Sequence, residues 1–110
     1  MHKAQCGQAR VLMTWVNAGE VAYIIERRRG LERSLAALAT LEATALEIVP
    51  AGRDLAMAAA HIKAGHAVAY VDAFAAALAR ESAATLVTGD LEFKQLEPIL
   101  AIHWLPQRVP

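Results

Sequence analysis

Short apolar runs of strand length alternate along this chain with longer segments of helical periodicity, and that alternation leaves few folds open to it. A helix between two strands carries the chain back to the edge it left, so such an order favours parallel pairing. Residues 11–16 (Val-Leu-Met-Thr-Trp-Val), bounded by Arg10 and Asn17, read as a buried strand. Asn17 is a candidate N-cap for a helix to Arg29, stopped by Gly30. Leu31, Leu35, Leu38 and Leu41 then recur at helical spacing in a second helix. Residues 45–49, closed by Pro50, read as a short strand, and 54–63 as a helix ending at Gly65. Residues 71–80 form an alanine-rich helix with Phe74 and Leu78 on one stripe. A β-branched strand at 85–87 leads into Thr88-Gly89-Asp90, a short helix through Leu96, and a last strand around 100–105. The expected architecture is α/β, with a small, mostly parallel sheet flanked by helices.

The 110 residues suit one domain spanning 1–110. The apolar excess is mostly alanine, which favours helices that pack closely over a thick β-sandwich core. Acidic and basic side chains balance, so a polyanion partner needs a local patch or a bound cation, not whole-chain basicity. A lone cysteine, Cys6, excludes a disulfide framework and suits a reducing compartment. No uncharged run approaches the roughly 18–20 residues that cross a bilayer. The run at 11–16 lacks a cleavage site and reads as mature protein, so a soluble, cytoplasmic chain is expected. Phosphate-cradling, dinucleotide-binding, zinc-protease and nucleophile-elbow motifs are all missing.

Ligand sites in parallel sheets lie beyond the carboxyl ends of the strands. Glu20 follows the first strand and Asp90 the third, while Asp72 opens the alanine-rich helix in Tyr70-Val-Asp72-Ala-Phe74. Each has an ordinary explanation: Asp72 as a cap or first-turn residue, Asp90 as a turn residue, Glu20 as a partner of its helix dipole. Together they also suit one cleft, where carboxylates repel unless a hard divalent cation such as Mg²⁺ or Mn²⁺ neutralises them.

Asn-x-Gly-Glu opening a helix with Tyr23 and Ile24, Asp-Ala in an alanine-rich helix, and Thr-Gly-Asp-x-x-Phe closing a strand resemble the PIN domain family. The likeness runs in order from about residue 10 to 105, with Trp104 in the closing strand, and is greatest to VapC-type ribonuclease toxins of toxin–antitoxin pairs. It implies a three-layer fold and a Mg²⁺- or Mn²⁺-dependent endoribonuclease. Glu20, Asp72 and Asp90 match acidic metal-site positions, with Thr88 and Asn17 as supporting polar residues. It further implies a homodimer and an antitoxin laid over the cleft, whose arginine would pair with the carboxylates.

The chain departs from that pattern at its start. The family's first strand, with its aspartate, normally lies about three dozen residues before the glutamate motif; here residues 1–10 hold no Asp or Glu. The expectation is therefore a truncated PIN domain without the usual first strand, with weakened or lost activity. A non-catalytic module or degenerate toxin that binds a partner chain is the alternative.

Arg27, Arg28, Arg29 and Arg33 form a local basic cluster, either a contact for RNA phosphates or a solvated helix end. His61 and His66, five apart, are not on one helix face; like His2 and His103 they read as structural or surface groups, and Cys6 as an inert thiol.

Overall fold

A computed structural model describes residues 10–106, so Cys6 and His2 lie outside the described residues. The elements are β1 (Val11–Thr14), α1 (Trp15–Arg29), α2 (Leu31–Ala43), β2 (Leu46–Val49), α3 (Arg53–Gly65), α4 (Tyr70–Glu81), β3 (Leu86–Thr88), a 3₁₀ helix (Leu91–Leu96) and β4 (Ile102–Trp104). The α/β class and the element order agree with the sequence, and the strand pairs are parallel.

Two expectations need correction. The first strand stops at Thr14, so Trp15 and Val16 belong to α1 and are exposed there. The cap of α1 is Thr14, not Asn17: the Asn17 amide donates to Thr14 Oγ1 at 3.0 Å, satisfying one of the helix's free N–H groups. Asn17 ties elements together instead, its Nδ2 donating to the Val71 carbonyl at 2.9 Å in the first turn of α4.

The small parallel sheet expected from the sequence is present, in a divided form. Among the described residues it consists of two separate parallel pairs, β1–β2 in register from Val11↔Leu46 to Thr14↔Val49, and β3–β4 from Leu86↔Ile102 to Thr88↔Trp104. Arg10 donates through Nη2 and Nε to both oxygens of Glu47 at 2.8 and 3.1 Å, clasping the start of β1 to β2.

Alanine decides the packing. Ala59 of α3 and Ala73, Ala76 and Ala77 of α4 are almost fully buried and let the two helices approach closely. Leu55, Ile62, Val68, Phe74, Phe93 and Leu96 fill the space around them, so the core lies on the α3–α4 side. The other side is thinly packed: α1 and α2 bury only Ala18 and Ser34, and the Ser34 hydroxyl donates to the Ala22 carbonyl at 2.7 Å to join them.

Gly30 separates α1 from α2 with φ +94°, a conformation in which a side chain strains the backbone, while its amide still donates to the Glu26 carbonyl at 2.9 Å. A Cβ there would meet nothing within 4 Å, so the cost of Gly30→Ala is backbone strain alone. Gly30→Ala should destabilise the fold by about 1–2 kcal/mol, read by chemical denaturation. An unchanged midpoint would show that the α1–α2 junction bends without needing glycine.

Candidate functional site

β3 ends at Thr88, whose Oγ1 accepts from the Asp90 amide at 3.0 Å; Asp90 Oδ1 in turn accepts from the Glu92 amide at 2.9 Å. These bonds turn the chain sharply at the end of the strand and make Asp90 the cap of the 3₁₀ helix. Asp72 reaches the same place from the first turn of α4, a turn that Asn17 holds through Val71. One oxygen each from Asp72, Asp90 and Glu92 then lie within 4.8 Å of one another, Asp72 half-buried and the other two exposed.

The structure thus brings together Asp72 and Asp90 of the carboxylates singled out by sequence, and adds Glu92. Glu20 is outside this group, although its charge is felt at Asp72. Together with Asn17 it lines a cleft between β1 and β3. Glu92 was overlooked although its signal was present, since a strand-end Asp followed two residues later by Glu puts both on one tight turn.

Electrostatics single out Asp72. Burial is the main cause that raises its pKa from the ordinary aspartate value, followed by repulsion from Glu20, Asp90 and Glu92. The positive end of α4 would act the other way, yet burial and the neighbouring charges outweigh it. A carboxyl whose pKa is raised on folding binds its proton more tightly in the folded state. Its contribution to stability is therefore present below the unfolded pKa and lost as pH rises through the folded one. Asp72→Asn should raise the thermal midpoint at neutral pH slightly and flatten its fall as pH rises through the carboxylate range. A lower midpoint at neutral pH would mean that Asp72 is held by bonds that favour its charged form.

The donor set fits a hard divalent cation: carboxylate oxygens only, clustered, with one of them penalised by burial and by like charges until a cation is present.

The basic cluster is elsewhere. Arg28, Arg29 and Arg33 line a shallow groove with Ile24 and Ile25 at the α1–α2 junction, which Arg27 does not join. His66 Nδ1 lies 2.9 Å from the Ile62 carbonyl and closes the end of α3, whereas His61 and His103 are exposed.

The family model for the PIN domain matches residues 2–97. The chain belongs to the PIN domain family. Among solved structures, this PIN domain is similar to a chain of a DNA-bound VapBC from Salmonella typhimurium, with a TM-score of 0.69 at 24% identity. That match covers 84% of this chain and 73% of the other. A second, VapBC2 from Rickettsia felis bound to a fragment of its promoter DNA, gives a TM-score of 0.65 at 19% identity, covering 86% and 74%. These likenesses show the fold. A comparison with curated proteins found no match. No helix among the described residues of the PIN domain is long and apolar enough to cross a membrane.

Proposed function

We propose that this PIN domain is a metal-dependent endoribonuclease of the toxin type, hydrolysing RNA phosphodiester bonds, with Mg²⁺ or Mn²⁺ as cofactor. The observation that carries the reading is the meeting of Asp72, Asp90 and Glu92 at the ends of β3 and α4, with the charge of Glu20 acting on Asp72. Asp72, Asp90 and Glu92 would hold the ion, and Glu20 would face it from α1. When bound, a divalent cation supplies Lewis acidity, making a water more acidic and offsetting charge on the phosphoryl oxygens.

The residues of the chain do the rest. Thr88 orients Asp90 through its amide, and Asn17 fixes the turn that carries Asp72. A carboxylate at the site would accept a proton from a water near the phosphate. Arg28, Arg29 and Arg33 offer a contact to RNA phosphates away from the acidic cluster.

VapBC complexes as structural neighbours support an antitoxin protein as partner; an arginine of such a partner, laid over the acidic cluster, would pair with its carboxylates. Exposed apolar side chains on α1 and α2, among them Tyr23, Leu31 and Leu35, support a homodimer. A toxin of this kind would act in the cytoplasm, where its RNA substrate lies.

The experiment is cleavage of single-stranded RNA with Mn²⁺ by the chain and by its Glu20→Gln variant. Cleavage that falls at least about tenfold in the variant supports the nuclease and the role of Glu20. Equal cleavage removes Glu20 from the site. No cleavage by either, with a stable protein complex formed through the apolar face of α1 and α2, favours the second reading: a PIN-like module that binds a partner without cutting.

A further inference from the structure

Two separate stretches of chain carry the acidic cluster: α4 brings Asp72, and the turn after β3 brings Asp90 and Glu92. Three carboxylates with oxygens within 4.8 Å repel one another, so their charges push the two carriers apart until a cation arrives. Part of the hold against this is apolar, since Phe93 and Leu96 of the 3₁₀ helix share one buried core with Val68 and Phe74. Apolar contact is non-directional and does not by itself fix how a short helix is turned.

A directed tie comes from Gln95. Its Oε1 accepts from the Ala67 amide at 2.9 Å, and its Nε2 donates to the Ala67 carbonyl at 3.2 Å and to the Glu92 carbonyl at 3.1 Å. Ala67 lies in the connection from α3 into α4, two residues before the Ala69 cap, whose carbonyl accepts from the Ala73 amide at 2.9 Å. The two bonds to Ala67 pair a side-chain amide with a main-chain N–H and carbonyl, and a turned amide would set N–H against N–H. Glu92 is thereby held at both main-chain groups, its N–H by Asp90 Oδ1 and its carbonyl by Gln95. The same connection is also tied to α3, Lys63 Nζ donating to the Val68 carbonyl at 2.9 Å, but that bond does not reach the 3₁₀ helix.

We propose that Gln95 is a positioning residue, whose amide clamps the entry of α4 to the 3₁₀ helix and so holds Asp90 and Glu92 in place against Asp72 before a cation binds. The side-chain type suits the task. A lysine or arginine here would bring a charge that pairs with the carboxylates and competes with the cation, whereas an amide offers donors and an acceptor at no net charge. The role rests on the reading of the acidic cluster as a metal site, and it acts through Glu92 and the α4 entry.

The test uses the full chain. Gln95→Met keeps the length of the side chain and removes all three bonds, while Lys63→Met removes only the tie of the connection to α3. Mn²⁺ affinity is measured by calorimetry, with circular dichroism to establish that each variant is folded. Single amides are followed by hydrogen exchange in NMR with Mg²⁺, which is diamagnetic. Loss of an outer partner of a metal ligand costs about 10–100-fold, and Gln95 is exposed, so Gln95→Met should bind Mn²⁺ about tenfold more weakly. Lys63→Met should leave that affinity unchanged. Coupling is reciprocal, so saturating Mg²⁺ should slow exchange of the Ala67 amide in the unaltered chain by a similar factor of about ten. A merely structural bond would not respond, and this measurement stands even if Gln95→Met does not fold.

Unchanged Mn²⁺ affinity in Gln95→Met overturns the proposal, as does an equal loss in Lys63→Met or an Ala67 amide indifferent to Mg²⁺. If the unaltered chain binds neither ion, the metal reading fails and exchange in the metal-free chain decides the clamp. Faster exchange at Ala67 and Glu92 together in Gln95→Met then upholds it, and a change at Ala67 alone overturns it.

Discussion

Asp90→Asn should lower Mn²⁺ affinity and Mn²⁺-dependent RNA cleavage together, by about a hundredfold. Asp90 is the residue on which the acidic group depends most: it lies in the cluster itself, caps the 3₁₀ helix and fixes Glu92 through that residue's amide. Asparagine keeps the capping oxygen, so the local turn should survive and the loss should be one of charge. Removing only an outer partner of a metal ligand costs about 10–100-fold, so removal of a ligand belongs at the upper end of that range or beyond. Thr88→Val, which takes away the hydroxyl that accepts from the Asp90 amide, should cost less, about tenfold. Isothermal titration with Mn²⁺ beside a cleavage assay checks both. Unchanged Mn²⁺ affinity in Asp90→Asn would dissociate the acidic cluster from any metal and leave its carboxylates as helix-capping groups.

Phe74→Ala carries the largest expected effect on stability, a loss of about 3–4 kcal/mol. Phe74 is buried in the α3–α4 core, and its ring centroid lies 5.0 Å from that of Tyr70 one turn earlier. Ala59, Ala73, Ala76 and Ala77 of the same core cannot extend to refill the space, so part of the cavity should persist. Small domains are stable by about 5–15 kcal/mol, so the loss should remove a large share of that margin. Urea denaturation followed by circular dichroism measures the loss. A change under 1 kcal/mol would mean that α3 and α4 close over the gap.

Much of the molecule was legible along the chain because its signals are local. Helical spacing in Leu31, Leu35 and Leu38, the glycine at 30 and the alanine run after Asp72 each act within a few residues, and the helices form where they indicate. The first strand was read two residues too long because Trp15 and Val16 are apolar, as strand residues are. What ends the strand is Thr14, buried and turned so that its hydroxyl caps α1. No apolar pattern marks that event.

The site was legible in composition and not in geometry. Asp72 and Asp90 stand out by opening a helix and following a strand, but their closeness depends on how the start of α4 and the end of β3 lie side by side. Glu92 was visible as a neighbour and became relevant only once the 3₁₀ turn placed it beside Asp90. Glu20 showed the reverse. Its motif suggested the cluster, yet the fold sets it apart from the tight group while keeping it near enough to repel Asp72.

By itself the sequence determined the order of the elements, the close helix packing that alanine permits and the carboxylates available, all of which follow from short-range spacing and side-chain type. Only the tertiary structure decided which carboxylates share a site and that the strands form two pairs with a cleft between them. The reason is physical: strand pairing and charge clustering join residues distant along the chain, and their energies depend on separation in space, which no local pattern encodes.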